Sequence, residues 1–338
     1  FGLLTWLTSA VNVTEHEMGH LREWSKLGVD SSHYRFADED GKTFQTEDRW
    51  EMFQNVIRRG SWGFGANAST ISSEAWNAYL ADPRYDGHRD QFHAAWVGGG
   101  LNQEQYSAER MADRILDGEA IIFDLPIASW YCLSTLIYGG GDRSRDDIYF
   151  YLDDLDALGV HSSRNEVKGI HWLKLASGSS IAAARSLYEF LADKNSTGKV
   201  RPLDLDFPLP EFASYLTEHG PTLKIRLPWR LDVGAPLRLE PSYQFSLARA
   251  GHEEYGLLAR IRPLDFLTLS AGGFLNREGG SWYEGSAALS FCRWFEFGLG
   301  FNRGAGDTYE RAIVGKTFHF LQDSEWSLKG VLQVNLRF

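Results

Sequence analysis

Apolar residues recur at helical spacing through the first two thirds of the chain and at alternate positions through the last third. Over 3–27 they fall three and four apart, the mark of a helix with one buried face, and Gly28 suits the stop after it. The same spacing predicts helices over 46–59, 72–80, 103–116 and 180–193, with Asn102 as the cap of the 103–116 helix. Gly98-Gly99-Gly100 and Gly139-Gly140-Gly141 read as breaks or hinges, and 120–137 as an apolar core helix pair broken at Pro126. Pro202, Pro208, Pro210 and Pro221 punctuate a polar linker over 196–221, with room for a short helix at 211–219.

Beyond Pro221 the period changes from 3.6 to 2. In the last and cleanest run, Trp326, Leu328, Gly330, Leu332, Val334, Leu336 and Phe338 alternate with Ser327, Lys329, Val331, Gln333, Asn335 and Arg337. Eight such runs predict an antiparallel eight-stranded β-barrel, enough strands to close a barrel that side chains fill. The fold class expected is α+β multidomain: a mainly helical domain over 1–195, the linker, and the barrel over 222–338. The barrel's polar face carries Glu240, Arg260, Arg262, Glu284, Glu296, Lys329 and Arg337, charges of both signs that can pair inside while the apolar face meets lipid. Trp229, Trp282, Trp294, Tyr309 and Trp326 fall near strand ends, as an interfacial girdle does. The terminal apolar strand ending in Phe338 resembles the last strand of bacterial outer-membrane β-barrel proteins. The turns are all short, unlike the long outer loops such barrels carry.

Composition narrows the classes. Of 338 residues 43% are hydrophobic and 14% aromatic, which excludes global disorder. No apolar run is long enough for a membrane-spanning helix. Two cysteines are too few for a disulfide scaffold or a cysteine-rich zinc site. A net charge of −11 argues against nucleic acid as the main partner. That charge divides into −13 over 1–219 and +2 over 220–338, as expected of two domains in different surroundings. A first residue of Phe1 instead of Met fits either a removed leader or a trimmed start.

The chemistry gathers at His16-Glu17-Met18-Gly19-His20. On a helix, positions four apart share a face, so two imidazoles can hold one zinc ion while the intervening glutamate reaches its water as general base. A third ligand is required, and Glu109 is the candidate; Asp113, four residues on, can accept a hydrogen bond from a ligand histidine. Taken alone, Glu109 and Asp113 read as a solvated helix face. The pair of motifs, His16-Glu17-Met18-Gly19-His20 and Glu109-Arg110-Met111-Ala112-Asp113, resembles the gluzincin metallopeptidases. Within them it is similar to the group of CAAX-type prenyl-protein endopeptidases and their bacterial quality-control relatives. The resemblance implies a zincin-like domain with His16, His20 and Glu109 as zinc ligands, Glu17 as catalytic base and Asp113 as orienter.

The activity that follows is metal-assisted hydrolysis of a polypeptide, envelope proteins among the candidates, at the periplasmic side of an outer membrane whose lipid surrounds the barrel. His93 and Tyr106 are the nearest candidates for a donor to the oxyanion, ahead of His88, His161 and His171. The acidic run Asp146, Asp147, Asp153, Asp154 and Asp156 lacks EF-hand spacing and reads as a solvated face. Hydrolysis of a lipid ester or amide is one alternative; a structural or assembly barrel carrying an inactive zincin-like domain is the other.

Overall fold

The computed structural model describes residues 2–26, 32–37, 43–46, 48–58, 66–71, 73–137, 146–192, 197–205, 207–249, 251–292, 295–305 and 325–334. The fold is α+β and divides into two units: 1–203 with 213–222, and 204–212 with 223–338.

The first unit is built on two long helices, α1 (Gly2–Lys26) and α4 (Arg89–Leu116). They pack antiparallel: Asn12 and His16 of α1 meet Glu104, Gly19 meets Gly99, and His20 meets Trp96. Here the glycine triplet reverses its expected role. Gly98, Gly99 and Gly100 lie inside α4, which begins fourteen residues before the expected start of that helix, and Asn102 lies inside it too. Each glycine costs a helix roughly 1 kcal/mol against alanine. The helix tolerates that because α1 comes too close for side chains: a Cβ on Gly19 would stand 2.1 Å from the Gly99 carbonyl oxygen. Asn102 caps nothing. Its amide nitrogen donates to the Leu216 carbonyl (2.8 Å) and its oxygen accepts the Leu216 N–H (2.7 Å), as a neighbouring strand would.

Around this pair stand α2 (Arg49–Arg58), α3 (Ser73–Ala81), α5 (Leu125–Ile137), α6 (Asp147–Ala157), α7 (Arg164–Leu173) and α8 (Gly178–Leu191). The Asp48 carboxylate accepts the Glu51 N–H and so starts α2 three residues later than its apolar period suggests. Met52 and Val56 of α2 close on Ala10, with Val13 and Met18 beside them. Pro126 does not break a helix; it is the second residue of α5, where its missing N–H costs little. Ile115, Ala120, Ile122, Leu125, Ala182 and Val200 form a second core. Trp24, Tyr79 and Phe92 form an aromatic one, with Trp24 and Phe92 ring centroids 4.8 Å apart. The unit also holds a three-stranded antiparallel sheet that periodicity did not reveal, in the order β2 (Thr43–Thr46), β1 (Ser32–Ala37), β3 (Ala66–Ile71). The expected stop at Gly28 and the triplet Gly139–Gly141 lie outside the described residues.

The chain next forms β4 (Glu211–Thr217), in place of the short helix expected at 211–219 and inside the expected linker, and β5 (Gly220–Arg226), which begins two residues before the expected strands at 222. The sheet continues through β7 (Pro236–Ser246), β8 (Glu253–Leu264), β9 (Leu267–Asn276), β10 (Ser281–Cys292), β11 (Phe295–Ala305) and β12 (Glu325–Val334), while β6 (Trp229–Asp232) pairs with β7. The order β12-β11-β10-β9-β8-β7-β5-β4 makes a curled antiparallel sheet; among the described residues its two ends do not pair, so the expected closed barrel is not seen. The strand expected over 308–320 lies outside the described residues, as do Trp294 and Tyr309, and β12 pairs directly with β11.

The two faces of this sheet are inverted relative to an ordinary β-protein. Arg226, Arg238, Glu240, Gln244, Glu254 and Asn276 are buried, while Tyr255, Leu257, Leu269, Leu275, Tyr283 and Leu299 are exposed. Arg226 donates to Glu240 at 2.7 Å, and Arg238 lies 3.4 Å from the other Glu240 oxygen. Trp282 joins the inner face with Phe274, fully buried, and is not part of an outer girdle; alternation along β10 turns Tyr283 outward and Trp282 inward. Trp229 is 41% exposed.

Candidate metal centre

His16 and His20 lie one turn apart on the face of α1 that meets α4. Each ring is fixed through Nδ1. His16 Nδ1 donates to the Glu104 carboxylate (3.0 Å), whose same oxygen accepts the Asn12 amide (3.0 Å). His20 Nδ1 donates to the Trp96 carbonyl (2.7 Å), which can only accept, so that nitrogen carries the proton. In the neutral rings both Nε2 atoms then carry the lone pair, and they face each other at 3.2 Å. Asp147, in the first turn of α6, adds Oδ2 at 2.9 Å from His16 Nε2 and 3.4 Å from His20 Nε2.

Two neutral imidazole nitrogens and a carboxylate oxygen this close repel one another unless a proton or a metal ion lies between them. Ligand bonds of about 2.0–2.1 Å at tetrahedral angles set donors about 3.3 Å apart, close to these three separations. His16, His20 and Asp147 can therefore hold a metal ion. Two imidazoles and a carboxylate suit zinc and other divalent first-row metals alike. Room for the donors comes from Gly100, where a Cβ would lie 2.5 Å from His16 Nε2 and 2.6 Å from His20 Nε2.

With a proton as the only available cation, the electrostatics follow. Burial lowers the His16 pKa, but hydrogen bonds to Asp147 and Glu104 overcome it and leave the ring well above its ordinary value. The His20 pKa is raised against the same opposition, chiefly by the charge of Asp147. Burial pushes the Asp147 carboxyl up, yet the two rings hold it far below the usual carboxylate range. Glu17 behaves differently. It is 5% exposed, its Oε2 finds no hydrogen-bond partner among the described residues, and burial raises its pKa to about 7 despite His20 and His16. A buried carboxyl beside a cluster that could hold a metal, with an unsatisfied oxygen, is equipped to take a proton from a water in that space.

The other residues singled out by sequence are dispersed. Glu109 is not in the cluster; Asp147 occupies the place expected of it. Five residues past Glu104 on α4, Glu109 points about 140° away from the face that meets His16. Asp113 shares that other face, and the carboxylate that meets His16 Nδ1 is Glu104. Tyr106 lies under the Arg22 guanidinium, 6.0 Å from ring centroid to Cζ. His93 is held by Asp154 (2.7 and 2.8 Å), about 10 Å along α6 from Asp147. His88 pairs with Gln91 and exposed His161 with Asp156. His171 is buried, donates to the Val167 carbonyl and accepts from Ser214, and burial takes its pKa down to about 3.

The acidic run expected to be a solvated face is mostly not one. Asp146 caps α6, Asp147 joins the cluster and Asp154 grips His93; Asp153 and Asp156 are exposed. Glu104 and Asp147 were both missed. One signal was present for Glu104: it follows Gly100 by four residues and so shares its helix face. No protein-family model, no characterised protein and no solved structure matches this chain.

Proposed function

We propose that the protein is a zinc-dependent endopeptidase: His16, His20 and Asp147 hold the metal, Glu104 orients His16, and Glu17 is the general base. The observation that carries this reading is the meeting of His16 Nε2, His20 Nε2 and Asp147 Oδ2 beside the unsatisfied, buried carboxylate of Glu17. Zinc, when bound there, supplies a Lewis acid and lowers the pKa of water. Glu17 takes the proton of the attacking water on its carboxylate and returns it to the leaving nitrogen. Glu104 and the Trp96 carbonyl keep both Nδ1–H groups directed away from the metal. A purely structural metal needs no base, so Glu17 favours an active site over an inactive remnant. The peptide bond is preferred to a lipid ester on the likeness of the His-Glu-x-Gly-His helix to gluzincin peptidases.

The inverted sheet supports an anchor in a bacterial outer membrane, apolar side chains to lipid and ion pairs inside, with the helical unit on the periplasmic side. A Glu17→Gln protein assayed on casein and on phospholipid vesicles, with products identified by mass spectrometry, tests the chemistry. The expected result is peptide products from the parent, a loss of 10²–10⁴-fold in the variant, and metal retained in both. Lipid products alone would move the reading to the lipid hydrolase, and parental behaviour of the variant in every assay would end the catalytic reading.

A further inference from the structure

Asp147 is the one ligand that does not come from α1, so its place depends on how α6 begins. Asp146, the residue before the helix, caps it: Oδ1 accepts the Tyr149 N–H at 2.9 Å. Both Asp146 oxygens are also taken by Arg164, Nη2 to Oδ1 at 2.7 Å and Nη1 to Oδ2 at 2.8 Å. The pair is mostly sheltered, with side chains 15% and 11% exposed. Arg164 is the first residue of α7, and the start of α7 is itself fixed by the reciprocal capping of Ser163 and Glu166. Segment 158–163 returns along α6, so the residue opening α7 grips the residue preceding α6.

We infer that Arg164 is a positioning residue for the metal centre, an inference that rests on His16, His20 and Asp147 holding a metal. The guanidinium fork ties the residue that caps α6 to the first residue of α7 by a two-point contact, and so fixes where the first turn of α6 sets Asp147 against the Nε2 atoms. A lysine carries the charge but not the fork.

The test is Co(II) titration of the full chain, with affinity read by competition against a chromophoric chelator and ligand geometry by the visible spectrum. The variants are Arg164→Lys, Asp146→Ser, which keeps a capping hydroxyl, their combination, and His16→Ala. The expected result is a 10–100-fold loss of Co(II) affinity in each clamp variant, a shifted spectrum, and a combined variant no worse than the weaker single one. Unchanged affinity and spectrum, even with a lowered thermal midpoint, overturn the inference and make the clamp a fold contact only. If one clamp variant fails to fold, the other decides. Loss of Co(II) in His16→Ala with full affinity in the clamp variants sinks this inference alone. A folded parent that binds no Co(II) sinks the metal reading with it.

Discussion

Glu17 is the residue on which pH acts most directly. In the metal-free protein its carboxyl titrates near 7, raised from an ordinary value of 4.5 by burial. The folded state therefore keeps a proton that the unfolded chain has released, and the associated stability is complete below pH 4.5 and lost as pH rises through about 7. The difference is on the order of 3 kcal/mol. In chelator, Glu17→Gln is expected to match the parent at pH 4 and exceed it at pH 8 in urea unfolding; equal slopes against pH would show that Glu17 is not buried as described. Glu104→Gln is expected to weaken zinc binding 10–100-fold by chelator competition, and an unchanged affinity would remove Glu104 from the site. The meeting of His16 and His20 was legible in the sequence because one helix turn fixes their geometry. Asp147 was not: it arrives 131 residues later in an acidic run, where its neighbours Asp153 and Asp156 are plain surface. Glu109 drew attention through its spacing to Asp113, but rotation around α4 gives Glu104 the face that matters.

At the scale of elements, the crossing of α1 and α4 decides whether a site forms. Gly19 and Gly99 let the two backbones touch, and Gly100 keeps the space under both Nε2 atoms clear. Gly19→Ala is expected to destabilise the fold by about 3 kcal/mol, since a Cβ 2.1 Å from a carbonyl oxygen forces the helices apart. Gly100→Ala is expected to abolish metal binding while keeping the helix content by circular dichroism. Full metal occupancy in that variant would place the ligands elsewhere. The same contact explains why the glycine triplet misled as a break: helix propensity is a local term, and the packing that overrides it comes from a helix more than seventy residues away. The strand at β4 was hidden for a related reason. Glu211–Thr217 carries no clean alternation because nearly all of it is buried, on both faces, as in a covered strand.

At the scale of the whole molecule, the last third was read most fully, because a period of two fixes which residues share a face whatever the sheet packs against. Leu257, Leu269 and Leu275 are exposed, and Arg238, Glu240 and Gln244 are buried, so apolar and polar side chains part to opposite faces. What alternation does not encode is closure or strand neighbours, and these were read less well: β12 joins β11 directly. Leu257→Arg on the outer face is expected to cost about 2–4 kcal/mol of folding free energy in lipid vesicles if that position lies near mid-bilayer. A parent that stays monomeric in buffer without detergent and ignores vesicles would contradict the anchor and leave the metal centre untouched.

The central claim is the metal centre, and the most direct measurement is elemental analysis of the protein purified without chelator, beside a His16→Ala, His20→Ala variant. The account predicts one zinc per chain in the parent and none in the variant, with both folded. No metal in the parent, even after reloading, or equal metal in both, would contradict it.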